Sequence, residues 1–503
     1  MKKLIYIFIL AALLTACSKD FLEQKSPDQL TSQNFWRNKS DAEAGLAAVY
    51  AQIEYTISYW GYAEVKYVID TYRSDLCEPG ADAANYPDWM QISTFSNTSS
   101  NTQCSEYWRS NYRGINYANQ VIEKVGGMSA EQITEADKNQ IVAEAEFLRA
   151  FFNFKLICNW EKIILRVHSI NSESDLDQGL AERIAVWDQI VSDFEAAIPS
   201  LPSKSELSND NVGRATKEAA YGMLGKVLLY RAGEETAKAE EYYQKAADAL
   251  WQVIDGGLYS LQNNFRSLFD GTGQNSNESL FEIQFAASED NGVYYKFPKQ
   301  YWIAVSELGG WDEIRGTDYL LQQMKSEGQI ATGGMFDDRL YSSLLFDDPN
   351  SGIWGYAYDD LFGTDRKIAF TKYLPATEDE MFQWESPINE HLLRYADVLL
   401  MYAEALNELN RTAEAIPYIN QVRTRAHMPA MTGSGKTEVK NQIIHERIME
   451  FAMEGQRFFD LRRWGLLEDR MHNSGKPGAS NFNLNSHSFF PIPESESNSN
   501  GGL

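Results

Sequence analysis

Basic residues, cysteine, histidine and long apolar runs are all scarce in this chain of 503 residues, and each shortage removes a class of function. Lys and Arg number 45 against 71 Asp and Glu, a net charge of −26. Nucleic acid and anionic lipid surfaces are held by basic patches, so this balance argues against both. No stretch beyond the first 16 residues stays apolar for 18 positions, so the sequence offers no later membrane-spanning helix, which needs about 20. The six histidines, at positions 168, 391, 427, 445, 472 and 487, are scattered without metal-ligand spacing. Neither a metal nor a cofactor is expected.

The opening residues are the exception. Lys2 and Lys3 precede an unbroken apolar stretch from Leu4 to Leu14, which is followed by Thr15, Ala16 and Cys17. That stretch is too short to span a bilayer; a basic start, a short apolar core and small residues before a cut describe a secretory signal over residues 1–16. Leu14-Thr15-Ala16-Cys17 resembles a bacterial lipobox, in which Cys17 would take a diacylglycerol and become the new N-terminus. The plain alternative is an ordinary signal peptide with an incidental cysteine. Loss of residues 1–16 removes two Lys and no acid, which takes the net charge from −26 to −28.

With Cys17 lipidated, Cys77, Cys104 and Cys158 remain, enough for one bridge. Cys77 and Cys104 bracket a segment rich in Gly, Asn and Ser, and a bridge across it would add about 3–4 kcal/mol in the chain-entropy model. Three free thiols are the equal alternative.

Residues 17–40 are polar and mixed, a tether leading into one large domain over 41–503. From Asp41 the pattern turns helical, with Ala42, Leu46, Val49 and Ile53 at spacings of three and four. Further amphipathic stretches predict helices near 107–125, 138–159, 181–197, 214–231 and 237–255, and then over His391–Leu409 and Ala413–Ala426. Each must bury its apolar stripe against a neighbour. Alanines such as Ala396, Ala403 and Ala405 permit close helix contacts, in the manner of tetratricopeptide-like pairs, although no clean 34-residue period is present. The fold class expected is therefore mostly α, a scaffold of helical pairs over 41–257 and 391–503. Between them, 258–390 is irregular, rich in Gly, Asn, Asp and aromatics, with strand-like runs such as Ser279–Phe285.

Three apparent catalytic motifs dissolve on inspection. Ala430 to Thr437 ends in Gly435-Lys436-Thr437 like a phosphate loop, but it lacks the first glycine and follows no strand. His445-Glu446 begins like a zinc-protease motif, yet the position four past His445 is Met449. Asp312 and Glu313 adjoin Trp311, but neighbours in an extended segment point to opposite faces, unlike a glycosidase pair. Asp270, Asp337 and Asp338 do not follow the spacing of a calcium loop.

The aromatic loops carry more information. Tyr294, Tyr295, Phe297, Tyr301, Trp302 and Trp311 place six rings in 18 residues, and Tyr86 and Trp89 stand beside Asp88 in an earlier loop. Sugar rings present apolar C–H faces that stack on Trp and Tyr, while nearby polar groups bond their hydroxyls. Tyr86, Asp88, Trp89, Tyr294, Tyr301, Trp302 and Trp311 are therefore the candidate glycan contacts. The bland reading is that such rings pack beneath the loops as core.

Several segments together resemble the SusD/RagB family. They include Cys17-Ser18-Lys19-Asp20-Phe21-Leu22 after the lipobox, Asn34-Phe35-Trp36 ahead of Asp41, and Ala145-Glu146-Phe147-Leu148-Arg149-Ala150-Phe151-Phe152. Others are Leu393-Arg394-Tyr395-Ala396-Asp397, Asn420-Gln421-Val422-Arg423, Gln456-Arg457-Phe458-Phe459-Asp460 and Phe490-Pro491-Ile492-Pro493. The resemblance implies a tetratricopeptide-like fold, lipid-anchored on the outer face of the outer membrane. It implies a partner, a SusC-like TonB-dependent transporter, and a non-catalytic role in capturing oligosaccharide or polysaccharide. It also implies that the Arg and Asp residues of 393–405 and 454–464 tie helix to helix. A peptide receptor of the RagB kind and, from another class, a glycoside hydrolase are the alternatives.

Overall fold

The computed structural model describes residues 35–54, 67–285 and 298–503. The signal segment, Cys17, most of the tether and Tyr294, with Tyr295 and Phe297, lie outside the described residues. Nine helices of 14 residues or more are found among those described: α1 (Lys39–Glu54), α2 (Thr102–Gly126), α3 (Glu135–Asn159), α4 (Arg183–Ala197), α5 (Lys217–Glu234), α6 (Ala239–Asp255), α7 (Tyr395–Glu408), α8 (Thr412–Arg425) and α9 (Lys436–Phe451). Their starts are set by side chains that satisfy otherwise unpaired amides. Asn101 accepts from the Cys104 amide, Thr134 from Asp137 and Thr216 from Ala219.

Each helix packs on the one before it in sequence, from α1 through α9, even where the long irregular region intervenes between α6 and α7. Ala396, Ala403 and Ala405 of α7 are fully buried, as the contacts of a helix covered on several sides require. One cluster of buried side chains runs through this stack and on into the irregular region.

The sequence pattern over 391–409 overstates the helix. Its first residues form β8 (Glu390–Arg394), antiparallel to β2 (Ser279–Ile283), and α7 begins only at Tyr395. The pairing partner lies more than a hundred residues away, so the local period could not reveal it. The irregular region also contributes β3 (Ile314–Gly316), β4 (Leu344–Leu345), the hairpin of β5 (Gly352–Ile353) and β6 (Tyr356–Ala357), and β7 (Ala369–Phe370). With β1 (Cys77–Pro79) from the earlier loop, β3, β4 and β7 form a sheet in the order β1-β3-β7-β4, and the β5–β6 hairpin stands apart as a second sheet.

A layer of buried charge fastens this region to the C-terminal helices. Glu450 of α9 accepts from Arg339 at 3.0 Å, from Arg394 at 2.5 Å and from Arg425. Arg394 also reaches Glu278 at 2.8 Å and Glu454 at 2.7 Å, and Lys372 reaches Glu454 at 2.7 Å. Arg339 grips Asp337 at 2.6 Å and Glu446 at 2.7 Å. All these side chains are almost completely buried. Burial by itself would raise the Glu450 carboxyl, but Arg425, Arg394 and Arg339 hold it well below the ordinary glutamate value. The same holds for Asp397, which joins Lys226 at 3.0 Å to Arg447 at 2.7 Å and so connects α5, α7 and α9.

Removing one member of such a set leaves uncompensated charge in the interior, which costs about 3–5 kcal/mol. Glu450→Gln should therefore lower the stability measured by urea unfolding by that amount at pH 7. A carboxyl depressed on folding stabilises above its unfolded value and loses that contribution as pH falls through the folded one. The gap between wild type and variant should accordingly close as the pH is taken below 4.5, the ordinary value for glutamate.

Candidate functional site

The two aromatic loops read from the sequence are neighbours in space. β1 lies antiparallel to β3, with Cys77 opposite Gly316 and Pro79 opposite Ile314. Immediately after β1 the Gly80 amide donates to the Glu313 carbonyl at 2.9 Å, and the Asp82 amide to that of Asp312 at 3.3 Å. A Cβ at position 80 would lie 1.9 Å from the Asp312 carbonyl oxygen, so this approach requires glycine. The loop of Tyr86, Asp88 and Trp89 is thereby sewn to the loop of Trp311.

The rings fall into two layers. The lower one is core. Trp302, on the short helix Lys299–Ile303, is 3% exposed and stacks on Tyr67 at 5.0 Å and Tyr72 at 5.9 Å. Trp89 is 4% exposed and touches Trp302 at 6.0 Å. Trp89 sits on a helix, Pro87–Ser93, in a stretch that the sequence presented as irregular; Pro87 occupies the first turn, where its missing N–H costs nothing. Neither indole has a free face for a sugar, so Trp89 and Trp302 are corrected from ligand contacts to supports. Asp88 also serves the fold: one oxygen of its carboxylate accepts from the Thr102 amide at 2.9 Å and from the Thr102 hydroxyl, at the start of α2.

The upper layer faces outward. Tyr86 is 41% exposed and stacks on Trp89 at 4.0 Å and 19°. Tyr301 and Trp311 are half-buried and stacked at 5.6 Å and 28°. Trp384, 40% exposed, touches both at 5.8 and 6.1 Å. Phe382, 57% exposed, lies over Gly309, where a Cβ would meet its ring at 2.9 Å and where φ is +81°. Backbone bonds fix the arrangement. The Trp311 amide donates to Tyr301 at 2.6 Å, the Asp312 amide to Ala304 at 2.9 Å, and the Gln300 side chain to the Gln383 carbonyl. Phe382 and Trp384 were not singled out from sequence because they lie some seventy residues beyond the other rings. Two large rings in Met381-Phe382-Gln383-Trp384-Glu385, amid acids, are the signal that was available.

The charged groups beside this face are engaged. Asp312 holds Arg315 through two bonds, one of 2.7 Å. Glu307 meets Lys367; burial would raise its carboxyl, but the bond to Lys367 keeps it below the usual value. Glu378 accepts from the Tyr356 hydroxyl at 3.2 Å. A separate cavity of about 420 Å³ lies between α1, the loop 210–214 and β2. Its polar groups are also committed: Arg214 bonds Glu144 and Glu43, and the Tyr50 hydroxyl donates to Glu144 and accepts from the Ala215 amide. Among the described residues, the grouping nearest to a metal site is Glu327, His445 and Glu446. There the Arg423 guanidinium already bonds both carboxylates, at 2.9 and 2.6 Å, and a cation on the same oxygens would meet that charge.

The proposed Cys77–Cys104 bridge is not formed: Cys77, Cys104 and Cys158 are free and buried. The Cys77 thiol bonds Ser74 and feels Lys476, whereas Cys104 at the start of α2 faces Arg73 and Asp88, so the two occupy different surroundings.

A helical frame thus carries an outward ring cluster on inserted loops. The chain belongs to the SusD family, whose profile matches residues 277–503; a second profile, of starch-binding proteins associating with the outer membrane, matches residues 20–229. A SusD-like protein of Bacteroides ovatus is 28% identical, over 94% of this chain and 84% of its own. The starch-binding protein SusD of Bacteroides thetaiotaomicron is 23% identical over 74% of this chain and 73% of its own. The solved structure of a SusD superfamily protein from Bacteroides vulgatus superposes with a TM-score of 0.81 at 28% identity, covering 93% of this chain and 98% of that one.

Burial pushes the Cys77 and Cys158 thiols up to about 12 and raises Cys104 as well, so little thiolate forms at neutral pH. A thiol reagent at pH 8 should label none of the three in the native protein and all three in urea. Protection that persists in urea and disappears only with reductant would restore a bridge.

Proposed function

We propose that this chain is a cell-surface glycan receptor, anchored to the outer membrane through lipid on Cys17. In this reading it captures oligosaccharide or polysaccharide, without cleaving it, for a SusC-like TonB-dependent transporter. It is a single SusD-like unit behind a signal peptide and a short tether. The observation that carries the reading is the outward layer of Tyr86, Tyr301, Trp311, Phe382 and Trp384. Exposed large rings are costly in water unless something covers them, and contiguous ones mark binding sites. Rings tilted to one another, as Trp384 is at 48° to Tyr301 and 67° to Trp311, suit the C–H faces of successive sugars better than a flat apolar partner.

Two of the surrounding carboxylates, Asp312 and Glu307, support binding rather than hydrolysis. A glycosidase needs one carboxyl kept protonated near neutral pH and another ionised across the cleaved bond. Asp312 is tied to Arg315, and Glu307 is held ionised beside Lys367.

The test is affinity electrophoresis of the protein through gels containing plant, host and microbial polysaccharides. Retardation by a glycan should weaken by about tenfold in Trp384→Ala or Trp311→Ala, the scale of one lost stacking contact of roughly 1.5 kcal/mol. Release of reducing ends that grows with time would point to the hydrolase instead, and binding of peptides alone to the RagB-like receptor.

A further inference from the structure

The outward ring layer is framed by three segments of one charge sign. Residues 78–90, 299–317 and 376–385 hold ten carboxylates, of which Asp312 and Glu313 are buried, and two bases: Lys299, buried and bonded to Glu390, and Arg315. Arg315 is bonded through two nitrogens to Asp312, the residue following Trp311. Lys367, which reaches the same region from outside these segments, is divided between Glu307 and Asp365. Arg366 beside it bonds Asp347 and Asp359. Two exposed rings there, Phe382 and Trp384, alternate with acids: Glu378, Asp379 and Glu380 form the first turn of the short helix that Phe382 ends, and Glu385 follows Trp384.

Resting on the receptor reading above, we propose that this face takes neutral glycans and turns away carboxylated and sulfated ones by charge. A uronate or sulfate placed on Trp384 would lie among these acids, and among the described residues Arg315, Lys367 and Arg366 are already compensated. Charges interact over about 8 Å at physiological ionic strength, more than the width of a sugar ring. Like charges brought together at a binding face cost several kcal/mol, which exceeds what one stacked ring returns. A neutral sugar meets no such cost, and the same carboxylates accept hydrogen bonds from its hydroxyls. The overall net charge of −26 acts in the same direction at longer range.

The experiment compares neutral polymers (laminarin, starch, mannan, xyloglucan) with anionic ones (polygalacturonate, alginate, chondroitin sulfate) in affinity gels, using the purified full chain. At least one neutral polymer should retard it and no anionic one should. The neutral interaction should change by less than about twofold between low and physiological salt, because no ion pair with the ligand is screened. Asp379→Lys combined with Glu385→Lys should create retardation by an anionic polymer at low salt. If thermal melting shows that this pair does not fold, Asp379→Asn with Glu385→Gln takes its place, with the same outcome expected more weakly. Retardation of wild type by an anionic polymer as strong as by any neutral one overturns the charge selectivity and leaves the receptor reading standing. A folded variant that still ignores every anionic polymer overturns it too. Retardation by no glycan overturns both.

Discussion

The carboxylate of Glu450 is the point on which the two halves of this structure meet. It lies in the last turn of α9 and receives guanidinium groups from three places: Arg339 of the irregular region, Arg394 at the end of β8, and Arg425 at the end of α8. An ion pair buried this deeply gains little net stability over a well-packed apolar substitute, because desolvation consumes most of the attraction. Its value is conditional. Once three arginines are inside, each must find a carboxylate, and the arrangement that satisfies all of them at once is strongly specified. Glu278, Glu446, Glu454 and Asp337 complete the set. Loops with few apolar contacts of their own thereby acquire a fixed seat on a helical frame.

The aromatic face inherits its position from that seat. Lys372, bonded to Glu454 and to the carbonyls of Glu450 and Ala452, pins the chain just before the segment that bears Phe382 and Trp384. Arg266 bonds the carbonyls of Thr371 and Leu374, and the Ala376 amide donates to Asp270. On the other side Lys299, bonded to the Ile388 carbonyl and to Glu390, starts the helix of Tyr301 and Trp302. Both walls of the ring layer thus lead back within a few residues to buried charge. A ligand face set this way is ordered before the ligand arrives, which spares the conformational entropy that a loose loop would lose on binding.

The helical scaffold was legible because its information is local. Apolar residues at spacings of three and four predict α2 to α6 and α8 to within a few residues. What was not legible depends on distant partners. Residues 391–394 carry a helical period yet form β8, because Ser279–Ile283 offers unpaired backbone to them. Of the seven ring-loop candidates, Tyr86, Tyr301 and Trp311 reach the outward layer, Trp89 and Trp302 lie under it, Asp88 holds the start of α2, and Tyr294 lies outside the described residues. Composition says that rings are abundant in a loop; only the fold says which of two adjacent rings, Tyr301 or Trp302, faces water. The expected division of labour does hold for the polar residues of 393–405 and 454–464. Arg394, Asp397, Arg457 and Arg463 all bond carboxylates or cations of neighbouring elements.

Acids therefore do two unlike jobs in this chain, and burial separates them. Inside, the carboxylates of the layer around Glu450 are matched to cations, and the match fixes geometry. Around the ring layer, carboxylates outnumber cations, and those that stay near water, such as Glu307 and Asp379, lie where a single pair is worth under about 1 kcal/mol and fixes little. What a set with more acids than bases does retain is a field of one sign over an apolar patch. Such a patch is discouraged from joining a second copy of itself, because each copy brings the same charge to the same rings. The excess acid thus lets a protein display large aromatic groups in water without self-association, and the same field then bears on whatever ligand approaches.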